Sequence, residues 1–237
     1  MNTNEIPRIA APLLLAAAIL VSMPHRTAVP PIELPPGEAP PPSAEQTRAA
    51  LAAIGAPGGP GYDRGSVMAA VTVLEFSDFG CPYCARFASQ VYPQLAEEFV
   101  RTGRVRWKYV PFVMGMFPNG DGAARAVECA AEQGRDAFAR MHDRLFAFQD
   151  SWKGTGDAAG VFRSFAAATG LDVARFTACW GSDAPEARIH RANELADQLG
   201  VRATPTFFIN GRRVEGALPA DQFRAVLQDV MQASRRN

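Results

Sequence analysis

Four cysteines, Cys81, Cys84, Cys129 and Cys179, offer the clearest chemistry in this chain. The first two stand in Cys81-Pro82-Tyr83-Cys84, and two intervening residues leave the sulfurs within bonding reach of each other. The run Val71-Thr72-Val73-Leu74-Glu75-Phe76 precedes them and reads as a buried strand; a helical pattern follows. A thiolate at the start of a helix faces unpaired N–H groups and the positive end of the helix dipole. Both stabilise the anion, so the thiol pKa falls and the nucleophile becomes available. Cys81 is the expected nucleophile. Cys84, one helical turn further in, is placed to resolve a mixed disulfide. Pro82 and Tyr83 form the dipeptide that tunes the pair.

Simpler readings fit these residues less well. Zinc wants four ligands, yet there is no second C-x-x-C, and His25, His142 and His190 lie far off in sequence. No metal and no cofactor is expected. A purely structural bridge across so short a loop would remove little chain entropy. Cys129 and Cys179 fall in a helical stretch, in no C-x-x-C and at no obvious helix start. They are expected to form a structural disulfide, with a second redox relay as the alternative. Closing their 50-residue loop is worth about 4 kcal/mol in the chain-entropy model. His142 and His190 read as surface or packing residues, and Trp107, Trp152 and Trp180 as core or groove residues.

The elements that must position the pair follow from periodicity. In 82–102, Phe87, Val91, Leu95 and Phe99 recur every four residues, and Gly103 stops the helix. Residues 105–110 alternate as a second strand, so strand, helix and strand suggest a parallel βαβ unit. Four helical segments then fill 123–180, punctuated by glycines, and another spans 185–199. Residues 206–209 and 212–215 read as strands joined by Asn210-Gly211, a type I′ hairpin signal. A closing amphipathic helix covers 219–233. The fold class is therefore α/β, interrupted by an all-helical insertion.

Lys+Arg and Asp+Glu both number 24, so zero net charge gives no argument for nucleic acid. Arg8 precedes an apolar run over 9–23, the pattern of a signal peptide. The run is short of the roughly 20 residues a spanning helix needs, but no cleavage site is clear after it. Residues 1–23 are thus expected to be a signal peptide or an N-terminal membrane anchor, and both readings stand. Either places the body of the chain outside the cytoplasmic membrane, where disulfides persist. Eight prolines crowd 24–42, and residues 24–61 are assigned as a Pro/Gly-rich linker. Within it, 43–54 shows a helix signal, with Ser43 as N-cap and Gln46 at the capping-box position.

Two stretches carry a family resemblance. Leu74-Glu75-Phe76-Ser77-Asp78-Phe79-Gly80-Cys81-Pro82-Tyr83-Cys84 resembles the active-site stretch of the DsbA-like thioredoxin-fold proteins. Thr204-Pro205-Thr206-Phe207-Phe208-Ile209-Asn210-Gly211 resembles their second signature, and Met141 to Phe146 resembles a helix of their insertion. The resemblance covers about 62–233. It implies a thioredoxin-like domain over 62–112 and 184–237, with the helical insertion at 113–183. It also implies a cis-Pro205 beside the redox pair, and Thr204 presenting backbone to an extended substrate. Glu75 is implied as a buried acid beneath the cysteines, relaying the proton of Cys84; Asp78 reads as a local cap or turn former.

The function so implied is an extracytoplasmic thiol–disulfide oxidoreductase, an enzyme introducing disulfides into exported cysteine-containing proteins. A redox partner would reset the pair, and the chain is expected to be a monomer. Alternatives remain. Cys-Pro-Tyr-Cys is also similar to the glutaredoxin site, and Thr before the proline to the disulfide isomerases. A reductase, an isomerase or a non-catalytic binding module would share the fold.

Overall fold

A computed structural model describes residues 43–56 and 59–236. The leader expected at 1–23 lies outside the described residues, as does the spacer before Ser43. Among the described residues, no helix is long and apolar enough to cross a membrane.

Two parallel strands, β2 (Val71–Ser77) and β3 (Val105–Pro111), form the centre of the sheet. β1 (Tyr62–Arg64) pairs antiparallel with the outer side of β3. β4 (Thr206–Ile209) and β5 (Arg212–Glu215) add an antiparallel hairpin beside β2, giving the order β1-β3-β2-β4-β5. At the hairpin tip Asn210 and Gly211 have φ of 46° and 89°, the positive pair that a type I′ turn requires. β1 is only three residues long, too short for its alternation to be read from the sequence.

The crossover from β2 to β3 is a continuous helical stretch over 82–100. It comprises α2 (Pro82–Arg86), a π turn (Phe87–Val91), α3 (Tyr92–Leu95) and a second π turn (Ala96–Val100). Phe87, Val91, Leu95 and Phe99 are all buried, as their spacing of four dictates. The π turns leave no mark in that spacing. In the first, the Tyr92 N–H reaches back to the carbonyl of Phe87 and widens the helix locally.

Strand alternation sorts the core into two layers. Val71, Val73, Trp107, Phe207 and Ile209 face one way, against Phe87, Leu95 and Phe99 and against Phe223 and Leu227 of α10 (Ala220–Ser234). Leu74, Phe76, Val110 and Phe208 face the other way, against α9 (Ala184–Gln198) through Ala192 and Ala196. Ile54 of α1 (Ala44–Gly55) completes this second layer. The linker assignment of 24–61 is therefore corrected over 44–55, where Ala50 and Ile54 are buried in the core. A capping box starts that helix: Gln46 N–H donates to Ser43 Oγ at 3.2 Å, and Ser43 N–H donates to the Gln46 side chain at 2.8 Å.

Five helices lie between β3 and α9: α4 (Gly120–Ala131), α5 (Arg135–Ala147), α6 (Gln149–Lys153), α7 (Ala158–Ala168) and α8 (Val173–Trp180). Cys129 of α4 and Cys179 of α8 are joined by a disulfide, with Cα atoms 5.6 Å apart. The interior of these helices is continuous with the Cys81 loop. Phe79, Cys81, Cys84 and Tyr109 share one apolar cluster with Phe138, Met141, Leu145 and Trp152. The insertion thus forms one wall of the cysteine site.

Candidate active site

Strand β2 ends at Ser77, and three residues later the chain enters α2 with Cys81 as its N-cap. Pro82 takes the first helical position, where its missing N–H costs no hydrogen bond and its fixed φ suits the helix. Cys81 is 2 % exposed and Cys84 0 %, both as free thiols. Only Cys81 retains any contact with solvent. Its Sγ donates to the carbonyl of Thr204 at 3.4 Å. The Thr204–Pro205 bond is cis, and Pro205 leads directly into β4. Tyr83, between the cysteines, is largely exposed, with the Arg86 guanidinium 5.2 Å from its ring centre.

The two thiols titrate in opposite directions. Cys81 is drawn down to about 6, first by the Cys84 thiol that donates to it, then by Thr204 and the N–H groups of Cys84 and Tyr83. Burial opposes this and loses. Cys84 is held well above the usual thiol range, first by burial and then by the neighbouring Cys81 thiolate. Such a pair ionises at one sulfur only, and that sulfur is the one nearest the surface.

The loop between strand and helix is fixed from three sides. Asp78 accepts from Gly80 N–H at 2.8 Å and from Met114 N–H at 2.8 Å, tying this loop to the one after β3. The sequence pointed to a local turn former here; the second contact spans two loops. A Cβ on Gly80 would lie 2.2 Å from Cβ of Phe117, so only glycine fits beneath that ring. Buried Gln149, the first residue of α6, donates to the carbonyls of Phe79 at 2.6 Å and of Cys81 at 3.1 Å. Sequence reasoning missed Gln149, because a lone glutamine 68 residues away carries no signal of its partners.

Glu75 shares its face of β2 with Val71 and Val73, under the helical crossover, and is 3 % exposed. Burial pushes its carboxyl up to about 7. Trp107 opposes that rise by donating its indole N–H to Oε2 at 2.7 Å. The Ser77 hydroxyl, two residues on, is close enough to lower the pKa of both Glu75 and Cys84, yet it makes no hydrogen bond of ordinary geometry. His142 is buried among Phe79, Tyr109, Phe138 and Phe146, and burial takes its pKa down to about 4. It is a packing residue; His190 is exposed. Among the described residues, no three His, Cys, Asp or Glu side chains come together as metal ligands.

Comparison with known proteins places this geometry. A family model described as Thioredoxin matches residues 59–229. The chain is 37% identical over 174 residues to the Na(+)/H(+) antiporter NhaA 3 of Salinispora tropica, covering 73% of this chain and 25% of that protein. The chain spans about a quarter of the length of the first such curated relatives. It is 26% identical over 173 residues to disulfide bond formation protein D of Bacillus subtilis, covering 68% of this chain and 72% of that one. The solved structure of alpha-DsbA1 from Wolbachia pipientis superposes with a TM-score of 0.67 at 21% identity, over 73% of this chain and 92% of its own. The chain belongs to the thioredoxin family, and its fold is that of the DsbA proteins.

Proposed function

We propose that this DsbA-like chain, an enzyme of the protein thiol–disulfide oxidoreductase class, oxidises cysteine pairs of exported proteins outside the cytoplasmic membrane. The observation that carries the reading is the asymmetry of the pair. Cys81 caps a helix with its thiol drawn down to about 6, while Cys84 is sealed beneath it. Stabilising the Cys81 thiolate stabilises the reduced form, and a stable reduced form makes the Cys81–Cys84 disulfide a strong oxidant.

The exchange balances as follows. A substrate thiolate attacks Sγ of Cys81 in the Cys81–Cys84 disulfide, and Cys84 leaves as a thiolate that takes up a proton. The second substrate thiolate then attacks the substrate sulfur of the mixed disulfide and expels the Cys81 thiolate. Two electrons pass from substrate to enzyme, and a redox partner must remove them. The Thr204 carbonyl beside Cys81, just after exposed Arg202 and Ala203, suits pairing with an extended substrate backbone. The oxidising compartment is supported by the Cys129–Cys179 disulfide and by the apolar leader.

The test is redox equilibration of the full chain with glutathione buffers. A potential well above the thioredoxin range of about −270 mV is expected. A value at or below that range would turn the assignment to a reductase, with the same two cysteines.

A further inference from the structure

Resting on the reading above, an extended substrate pairs with Thr204 while its sulfur meets Cys81, so the spacing of these two residues bears on the exchange. They come from loops 123 residues apart, and their direct contact is the 3.4 Å bond from Cys81 Sγ to the Thr204 carbonyl. A second connection runs the longer way round, through a buried carboxylate that takes no part in the sulfur chemistry. Asp78 is 2 % exposed. Its Oδ1 accepts from the N–H of Gly80, the residue before Cys81, and its Oδ2 from the N–H of Met114, each at 2.8 Å. Its backbone carbonyl accepts the Cys81 N–H at 3.0 Å. Two glycines make room for the side chain: a Cβ on Gly80 or on Gly120, where α4 begins, would lie 3.3 or 3.2 Å from Oδ1.

Met114 lies on the segment that runs on from β3, where side chains replace a strand as hydrogen-bond partners. Phe112 N–H still donates to the Ser77 carbonyl at 3.1 Å. Asn193 of α9 then accepts from Val113 N–H and donates to the Val113 carbonyl, both at 3.1 Å. Asp78 serves the next N–H along. With its backbone held in this way, Met114 packs against the second core layer, and its Sδ accepts the Thr204 hydroxyl at 3.4 Å. The contacts close into a ring: Cys81 to Thr204, Thr204 to Met114, Met114 to Asp78, and Asp78 back to Cys81.

We propose that Asp78 is a positioning residue for the exchange: through Met114 it holds Thr204 at the spacing from Cys81 that lets one extended peptide reach both. Asp78 touches neither the substrate nor the reacting sulfurs. Its chemistry suits the task, because each oxygen faces one N–H and only a group that accepts at both ends serves the two. An asparagine of the same shape has one acceptor and one donor end. It keeps the bond to Gly80, two residues on, which is the local turn that asparagine side chains favour. It then turns its NH₂ toward the Met114 N–H, and two donors face each other. Met114 moves away, and its sulfur releases the Thr204 hydroxyl.

The test compares two reactions of the reduced full chain at one pH. In the first, Cys81 attacks a peptide whose cysteine carries a thionitrobenzoate mixed disulfide, and the coloured thiolate that leaves is followed. In the second, Cys81 is alkylated by iodoacetamide, which is too small to pair with Thr204. Both consume the Cys81 thiolate, so the ratio of the two rates cancels any change in its population and isolates the peptide's alignment. Asp78→Asn should lower this ratio about tenfold, and Met114→Leu, which keeps the bulk but removes the sulfur, about threefold, as expected for one lost hydrogen bond that orients a reactant. The Asp78→Asn/Met114→Leu double variant should fall no further than Asp78→Asn alone, because the two residues act in one line. A wild-type ratio in folded Asp78→Asn would overturn the proposal, including the case in which both rates drop together because the Cys81 loop is damaged. Independent, multiplying effects in the double variant would overturn it too. Should Asp78→Asn not fold, a wild-type ratio in Met114→Leu decides against the link. The ratio does not depend on redox direction, so a reductive potential would overturn the direction proposed above and leave this result readable.

Discussion

The two cysteine pairs are nearly equally buried and yet serve opposite ends. Cys129 and Cys179 sit on α4 and α8 among apolar side chains, fifty residues apart in sequence, and are closed as a bridge. Cys81 and Cys84 share the same apolar cluster, but Cys81 sits at a helix start against the Thr204 carbonyl. Burial alone therefore does not decide reactivity. What separates the pairs is the backbone around one sulfur: helix N–H groups that favour a thiolate, and a partner thiol that donates to it. The first pair restrains the insertion that walls the second.

The sharpest way to break this comparison is to remove each pair in turn. Cys81→Ser should abolish disulfide transfer to a dithiol peptide, whereas Cys84→Ser should accumulate a mixed disulfide with it. The Cys129→Ser/Cys179→Ser double variant should retain transfer but lose about 4 kcal/mol in chemical denaturation, the loop-closure contribution of a 50-residue loop. Loss of transfer in that folded variant would make the second pair a relay.

A subtler difference lies in pH. The Cys81 thiol titrates near 6 in the reduced fold, below its unfolded value, so the thiolate contributes stability that is fully present above the unfolded pKa and is lost as pH falls through about 6. Glu75 acts with the opposite sign: its folded pKa of about 7 exceeds the unfolded one, so stability is lost as pH rises through 7. Glu75 is present in both redox states, and Cys84 stays protonated in folded and unfolded forms until pH nears the unfolded thiol pKa of about 8.5, so below that pH the difference between reduced and oxidised stability reports Cys81. That difference should shift in favour of the reduced form between about pH 6 and 8.5. A flat difference over this range would mean that Cys81 is an ordinary thiol.

The smallest effect tests how the insertion reaches the site. Gln149→Leu keeps the bulk of the side chain but strips the donors from the Phe79 and Cys81 carbonyls. It should cost about 1–3 kcal/mol, the penalty for buried carbonyls left unpaired, and should raise the Cys81 pKa measured by thiolate absorbance. An unchanged thiol pKa would confine Gln149 to packing.

Much of this architecture follows from local chemistry. The strands at 71–77, 105–111 and 206–209 are β-branched or aromatic runs, and Asn210-Gly211 could hardly be anything but a tight turn. The helix after Cys81 was legible in residues four apart. α1 was legible as a helix from its capping box, but not as part of the core, because its proline-rich flank dominates the composition there. Both faces of β2 are apolar, so alternation left the direction of Glu75 open; the packing of Val71 and Val73 under the crossover decided it.

By itself the sequence determined that a C-x-x-C pair stands between a strand and a helix, because motif, periodicity and turn chemistry act over a few residues. Only the tertiary structure decided which groups meet that pair. Thr204 lies 123 residues from Cys81, Gln149 lies 68 away, and Trp107 lies 32 from Glu75. No local preference encodes such meetings, since they depend on how the two faces of one sheet are covered. The same coverage withdraws Glu75 from water, and that withdrawal moves its pKa.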